Sequence, residues 1–352
     1  LTNHLMKPSY EYQIQFLQNI QRILKEGSFS STYKFALLHS IADQCVEKGS
    51  DDNSELTISV KELAVKFIDL YWTQTVEFPN NGHAGVLYQN NGQQAAIINQ
   101  IQQVRNIDPR LSKIKSQQHY IGLQKSVSNT IKSMPLWKLQ ILGDTTLVLD
   151  FLYPQKGKGN EITLKSGVCY CFRKFYGQIA DMLHIAWIRW VQKASNNQTI
   201  LGQNINLEDF LFESKRSNLQ PFVTVLKEEQ NNNCFYCDRQ IRSNPEVDHF
   251  IPWSRYAVDL GHNFVLSHKS CNGDKSDYLA SEEFLEKWVN RNMVSGKMLS
   301  DFFNDQNLMY NLNTSLSVSK WAYQQCSDSD SLVWAGYKNG FTGLSGQWAN
   351  LL

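Results

Sequence analysis

Residues 234–276 read CFYCDRQIRSNPEVDHFIPWSRYAVDLGHNFVLSHKSCNGDKS, and two pairs of metal-ligand residue types bracket this stretch. Cys234 pairs with Cys237, and His268 pairs with Cys271, each with two residues between its members. That spacing lets a tight knuckle direct both ligand atoms at one point, and four such ligands complete the shell of a structural Zn²⁺. The alternative, a redox-active Cys234–Cys237 pair, lacks the βαβ context that such a pair needs.

Between the two pairs lie side chains suited to hydrolysis of a phosphodiester. Residues 247–251 alternate as a strand does, and they include Asp248, a ligand type for a hard divalent cation. His249 is a side chain that can take a proton from water near neutral pH. Asn272 could present an amide oxygen as a second ligand of the cation. Lys275, one helical turn later, would favour a phosphate or the charge of the transition state.

Two further residues of this stretch are weaker candidates. Glu246 lies on the same strand face as Asp248 and could join the metal shell. Arg255 is a candidate for a phosphate contact, as is Lys275. The alternative for both basic residues is a plain surface charge.

Over residues 234–278 the pattern resembles the HNH nuclease superfamily, also called ββα-metal nucleases, and in particular its zinc-bound subset. The resemblance implies that His249 is the general base and that Asp248 and Asn272 hold a catalytic Mg²⁺ or Mn²⁺. It implies that Asn263 fixes the loop that carries the base. Hydrolysis with one catalytic metal would leave 5′-phosphate and 3′-hydroxyl ends.

The sequence departs from the family pattern at two positions. His268 stands where many members have Cys, which keeps zinc binding and can alter its affinity. Asn272 stands where others have His, a common variant. More loosely, the chain is similar to large bacterial HNH proteins with helical flanks, a group often assigned to restriction or anti-phage roles.

Composition bounds the class of protein. A chain of 352 residues can bury a large core without disulfides, and its seven cysteines, an odd number, fit reduced thiols plus a metal site. No apolar run reaches the roughly 18 residues of a membrane span, and the N-terminus lacks the pattern of a secretory signal. We therefore expect a cytoplasmic protein that does not bind membranes.

Positive charge is concentrated in the middle of the chain. Residues 101–175 hold twelve Lys and Arg against four Asp and Glu, a net of 12 − 4 = +8, whereas residues 1–100 have 7 − 10 = −3. A basic segment of this kind suits a surface that faces DNA phosphates. The alternative is a solvated face without a partner.

The predicted fold class is α+β. We expect a mostly helical recognition or regulatory region over residues 1–200 with a small β-hairpin at 161–172, an HNH domain over 207–280, and a helical C-terminal cap over 281–352. The first 71 residues favour plain helical packing slightly over a winged-helix-like unit. The tryptophans of the cap are expected to be core anchors.

These features predict a metal-dependent HNH endonuclease that cuts DNA, used in bacterial restriction or anti-phage defence. One alternative is a homing or mobile-element endonuclease, and another is a non-catalytic zinc module that binds nucleic acid. The residues do not distinguish DNA from RNA. They are compatible with a homodimer or an activating partner.

Overall fold

The structure is a computed structural model, and it describes residues 7–79, 84–143, 147–154, 159–202, 207–213 and 219–352. The chain divides into two compact units, Leu1–Ser214 (unit 1) and Lys215–Leu352 (unit 2). Among the described residues, unit 1 is helical with one pair of short strands, and unit 2 has short antiparallel strand pairs among helices. The predicted α+β class, with helices that follow the HNH segment, is confirmed.

Unit 1 contains ten α-helices and two strands in its described part. In chain order they are α1 (Tyr10–Glu26), α2 (Tyr33–Lys48), β1 (Leu56–Ser59), α3 (Val60–Tyr71), α4 (Ala96–Arg105), α5 (Leu111–Lys115), α6 (Gln118–Ser133), α7 (Pro135–Lys138), β2 (Glu161–Leu164), α8 (Val168–Lys174), α9 (Tyr176–Lys193) and α10 (Gln198–Leu201).

Helix α2 forms the centre of unit 1. It is buried on almost every face because α3, α7, α8 and α9 all pack against it. Phe35 of α2 stacks on the fully buried Trp187 of α9 with ring centroids 6.1 Å apart. The Trp187 indole N–H donates to Gln89 Oε1 at 3.0 Å, so its polar atom is satisfied inside the core.

Of the hairpin predicted at 161–172, the first strand is present, but the second strand and the pairing between the two are wrong. Glu161–Leu164 is a strand, but it pairs antiparallel with Leu56–Ser59, about a hundred residues earlier in the chain. Val168 to Phe172 belongs to helix α8, which begins after Gly167 adopts a positive φ of 81°. All six residues from Val168 to Arg173 are buried, so the apolar run carries no periodicity that separates a strand from a helix.

Unit 2 contains four α-helices and four strands in its described part. In chain order they are α11 (Gln220–Glu229), β3 (Glu246–His249), β4 (Phe264–Ser267), α12 (Lys269–Lys275), α13 (Glu282–Asp305), α14 (Leu312–Asp328), β5 (Val333–Trp334) and β6 (Phe341–Thr342). The β5–β6 pair was not predicted from the sequence.

The C-terminal helices of unit 2 pack on the segment that contains β3 and β4. Trp288 of α13 stacks on Phe250 with ring centroids 5.0 Å apart, and its indole N–H donates to the His262 carbonyl at 3.1 Å. Four tryptophans predicted to be core anchors are buried, which confirms the prediction: Trp288, Trp321, Trp334 and Trp348. No helix among the described residues is long and apolar enough to cross a membrane.

Candidate metal centre and active site

The four predicted zinc ligands converge in unit 2. The ligand atoms of Cys234, Cys237, His268 and Cys271 all lie within 4.8 Å of one another. Cys237 Sγ is 3.3 Å from His268 Nδ1, and the cysteines form no disulfide. Three thiol sulfurs and one imidazole nitrogen at this separation are a donor set that fits tetrahedral zinc.

Local backbone geometry directs these ligands inward. After Cys237 the chain turns back through Asp238, whose φ is +56°, and the Asp238 N–H donates to the Cys234 carbonyl at 3.0 Å. His268 is the N-cap of α12, so Cys271 falls in the first turn of that helix. The His268 N–H also points at Cys234 Sγ at 3.4 Å, which joins the two knuckles through backbone geometry.

Strands β3 and β4 form the hairpin between the two knuckles. They pair antiparallel, with Asp248 opposite Val265 and His249 opposite Phe264. Asn263 closes the loop that follows His249, because its Oδ1 accepts from the Ile251 N–H at 2.8 Å and its Nδ2 donates to the Ile251 carbonyl at 2.9 Å. Both backbone polar groups of Ile251, two residues after His249, are therefore held by the Asn263 side chain.

His249 has a carboxylate partner that the sequence analysis did not identify. Its Nε2 lies 2.7 Å from Asp259 Oδ1, and the two side chains are 14% and 9% exposed. The His249 ring meets Phe264 and Trp253 edge-on, with centroids 4.8 and 5.5 Å away. Because the Asp259 carboxylate can only accept, Nε2 carries the proton and Nδ1 carries the lone pair when the imidazole is neutral.

Asp248 is buried in a set of hydrogen bonds. Its Oδ2 accepts from the Tyr236 hydroxyl at 2.5 Å and lies 3.0 Å from the Lys275 ammonium. Burial, and then the negative charge of Asp248, raises the pKa of Tyr236, so the phenol stays protonated and donates. Both contacts fall on Oδ2, and Oδ1 is the oxygen that a cation could use.

Lys275 lies inside the protein and does not face a phosphate on the surface. Its side chain is fully buried, and the ammonium also donates to the His249 carbonyl at 3.0 Å. A single buried cation therefore links helix α12 to the last two residues of β3. This arrangement differs from both sequence-based alternatives, a phosphate contact and a plain surface charge.

Asn272 contacts Glu246 and not Asp248. Its Nδ2 donates to Glu246 Oε2 at 3.0 Å, and both side chains line an open cavity of about 380 Å³ in unit 2. Carboxylate and amide oxygens are ligands that suit Mg²⁺ or Mn²⁺. Among the residues that the structure describes, no hydrogen bond joins Asp248 to Asn272.

Arg255 is partly buried, and its Nε has no hydrogen-bond partner among the described residues. Burial raises the pKa of Tyr323 and of Cys326, and the positive charge of Arg255 opposes part of that rise. Arg255 therefore lies near α14, and the structure shows no contact that assigns it a phosphate.

Comparison with known families agrees with this geometry. Residues 13–211, more than half of the chain, match a family described as a domain of unknown function (DUF8808). Residues 234–281 match the HNH endonuclease family. The chain belongs to the DUF8808 family and carries an HNH endonuclease domain. No curated protein and no solved structure gives a significant match.

The HNH domain contains the cysteine–histidine cluster, β3, β4 and α12, and the resemblance stated from the sequence is thereby confirmed. Sequence reasoning missed Asp259 and Tyr236 in this domain. Asp259 lies ten residues after His249 in an irregular loop, where no periodicity indicates which side chains turn inward. Tyr236 lies between two cysteines of the cluster, and no sequence pattern distinguishes a tyrosine at this position as a functional residue.

The cluster predicts one bound zinc ion per chain. Replacing Cys271 with Ser removes one soft ligand, so we expect bound zinc to fall well below one equivalent and unit 2 to lose thermal stability. Elemental analysis of purified protein and its melting curve measure both effects. Cys326→Ser is the matched control, because Cys326 is also buried in unit 2 but lies outside the cluster. Equal zinc content in the two variants would contradict the assignment.

Proposed function

We propose that the protein is a metal-dependent endonuclease that hydrolyses phosphodiester bonds in DNA. The observation that carries the proposal is the position of His249 at the end of β3, paired with Asp259, inside a matched HNH domain. A zinc module that only binds nucleic acid needs neither a histidine paired with a carboxylate nor a group of oxygen ligands separate from the cysteine–histidine cluster. The arrangement thus favours catalysis over simple binding.

His249 is the general base in this proposal. With Nε2–H donated to Asp259, the Nδ1 lone pair is free to take a proton from the attacking water. The Asp259 carboxylate stabilises the imidazolium that results and holds the ring in one orientation. Lys275 fixes the backbone at the base through the His249 carbonyl, and Asn263 fixes it two residues later through Ile251.

The catalytic cation is proposed to be held by the side-chain oxygens of Asp248, Glu246 and Asn272. Glu246 and Asp248 share one strand face, and Asn272 is already bonded to Glu246. The Lys275 ammonium partly neutralises Asp248, so Glu246 would supply the remaining negative charge. When bound, Mg²⁺ or Mn²⁺ supplies the positive charge that stabilises the phosphorus centre and the leaving oxygen.

Unit 1 is proposed to recognise the target, with the cleavage chemistry in unit 2. The net charge of +8 over residues 101–175 supports a role in holding DNA phosphates. Lys125 on α6 belongs to this segment and is exposed, whereas Lys113 on α5 is half-buried and pairs with Asp108 at 3.3 Å. A large recognition unit joined to an HNH domain fits restriction of foreign DNA, and we extend the proposal to that role.

The proposal predicts that supercoiled plasmid is nicked or linearised with Mg²⁺ or Mn²⁺ and is left intact with EDTA. We expect His249→Gly to lower the cleavage rate by roughly 10²–10⁴-fold, because the general base is lost. Added imidazole should restore part of that rate, since the cavity left by the side chain can admit a free base. Gel assays of the time course, on modified and unmodified plasmid, measure these rates.

Equal zinc content in wild type and His249→Gly shows that the variant keeps its fold. Undiminished cleavage by the variant would disprove the role of His249. If wild-type protein bound DNA but left every substrate uncut, the zinc-containing binding module would be the better description. Identical rates on modified and unmodified DNA would count against a restriction role, but the proposal that the protein is an endonuclease would stand.

Asp259→Asn tests the partner of the base. The substitution keeps the shape of the side chain but removes the charge that orients His249, so we expect kcat to fall by roughly 10- to 100-fold with little change in KM. Asp301→Asn is the matched control, because Asp301 is exposed on α13 of the same unit. A similar loss in both variants would show that the effect does not arise from the His249 contact.

A further inference from the structure

Unit 1 contains a cavity that the proposed nuclease chemistry does not use. It has a volume of about 290 Å³ and lies between the loop that precedes α2 and helix α7. Its polar and aromatic lining consists of Ser28, Ser30, Ser31, Tyr33, Lys34, Trp137 and Lys138. Among the described residues, this lining contains two cationic side chains, Lys34 and Lys138, and no carboxylate.

Lys34 is a buried cation without an anionic partner. The residue is 7% exposed, and the contacts of its ammonium are the Ile141 carbonyl at 3.3 Å and the face of the Phe29 ring at 5.4 Å. No ion pair joins it to any residue in the part of the chain that the structure describes. Burial, and then the charge of Lys138, lowers the pKa of Lys34 to about 8. An anion in the cavity would stabilise the charged form of Lys34, which burial and the charge of Lys138 both disfavour.

The start of helix α2 adds to this positive potential. The N-cap residue Thr32 makes no side-chain cap, because its hydroxyl is bonded to the Tyr71 hydroxyl at 2.6 Å. The N-terminus of this 16-residue helix lies at the cavity, because its first two residues, Tyr33 and Lys34, both line the cavity wall. Helix N-termini of this kind stabilise phosphate groups through the N–H donors and the helix dipole.

Three serine hydroxyls complete the donor set. Ser28, Ser30 and Ser31 line the cavity, and their hydroxyls make no hydrogen bond to any residue within the described ranges. Two ammonium groups, three hydroxyls and a helix N-terminus exceed what a carboxylate can accept. They match the several oxygens of a phosphate monoester.

We propose that this cavity, the Lys34 pocket, binds the phosphate group of a mononucleotide, with the base against Trp137. The volume is near the lower end of small-molecule sites, which suits one nucleotide and excludes a duplex. Trp137 lines the cavity and is 38% exposed, with the Lys138 ammonium 5.0 Å from its ring centroid, and the base is proposed to pack against its exposed surface. The proposal is independent of the nuclease proposal, because it concerns binding by unit 1 alone.

Calorimetric titration of the full chain, without added divalent cations, tests the pocket with inorganic phosphate, AMP and adenosine. We expect phosphate to bind, AMP to bind about tenfold more tightly because of stacking, and adenosine not to bind detectably. Absence of heat with both phosphate and AMP at millimolar concentration would overturn the proposal. Displacement of AMP by a DNA oligonucleotide that lacks terminal phosphates would also overturn it, since that result would make the pocket part of a DNA-binding surface.

Lys34→Met separates a binding role from a structural role. Methionine keeps the volume but removes the unpaired charge, so we expect at least tenfold weaker AMP binding together with an unchanged or higher melting temperature. If Lys34 served only to bond Ile141, the variant would melt lower and bind AMP as wild type does, and the proposal would fail. Lys25→Met is the matched control, an exposed lysine of α1 outside the cavity, and it should bind AMP normally.

Discussion

Strands β3 and β4 pair over only four residues each, and a two-stranded sheet of that size is marginally stable in water by itself. Cys234 and Cys237 precede β3, whereas His268 and Cys271 follow β4, so the ligand cluster joins the two ends of the hairpin. The same cluster includes the first turn of α12, which carries Asn272. The alignment of Asp248 and Asn272 with His249 therefore depends on the cluster.

A second constraint acts inside the hairpin. Removing Lys275 and Asp248 from water costs free energy that a buried ion pair recovers only with good geometry and further hydrogen bonds. Both conditions are met, because Tyr236 donates to Asp248 and the Lys275 ammonium also reaches the His249 carbonyl. The main effect of the pair is therefore to hold the last two residues of β3 in one position, and its contribution to net stability is small.

The sequence predicted those parts of the site whose chemistry depends on spacing. Two CxxC-like pairs must each form a knuckle, so the cluster followed from residue numbers alone. The partner of His249 could not be predicted, since Asp259 lies in a loop whose path is set by packing. The helix at Val168–Lys174 was missed because a run that is buried on every side has no period. Lys275 looked like a surface charge because its buried partner is 27 positions away in sequence, across the hairpin.

Two buried lysines show how surroundings assign opposite roles to one residue type. Lys275 has a carboxylate at 3.0 Å, so its charge is already compensated and an external anion would gain little from it. Lys34 is buried almost as deeply, but its ammonium contacts a carbonyl and an aromatic ring, neither of which neutralises it. An uncompensated charge at this depth lowers stability unless a ligand supplies the missing anion. The difference in partners, not in burial, makes Lys275 a structural residue and Lys34 a candidate ligand contact.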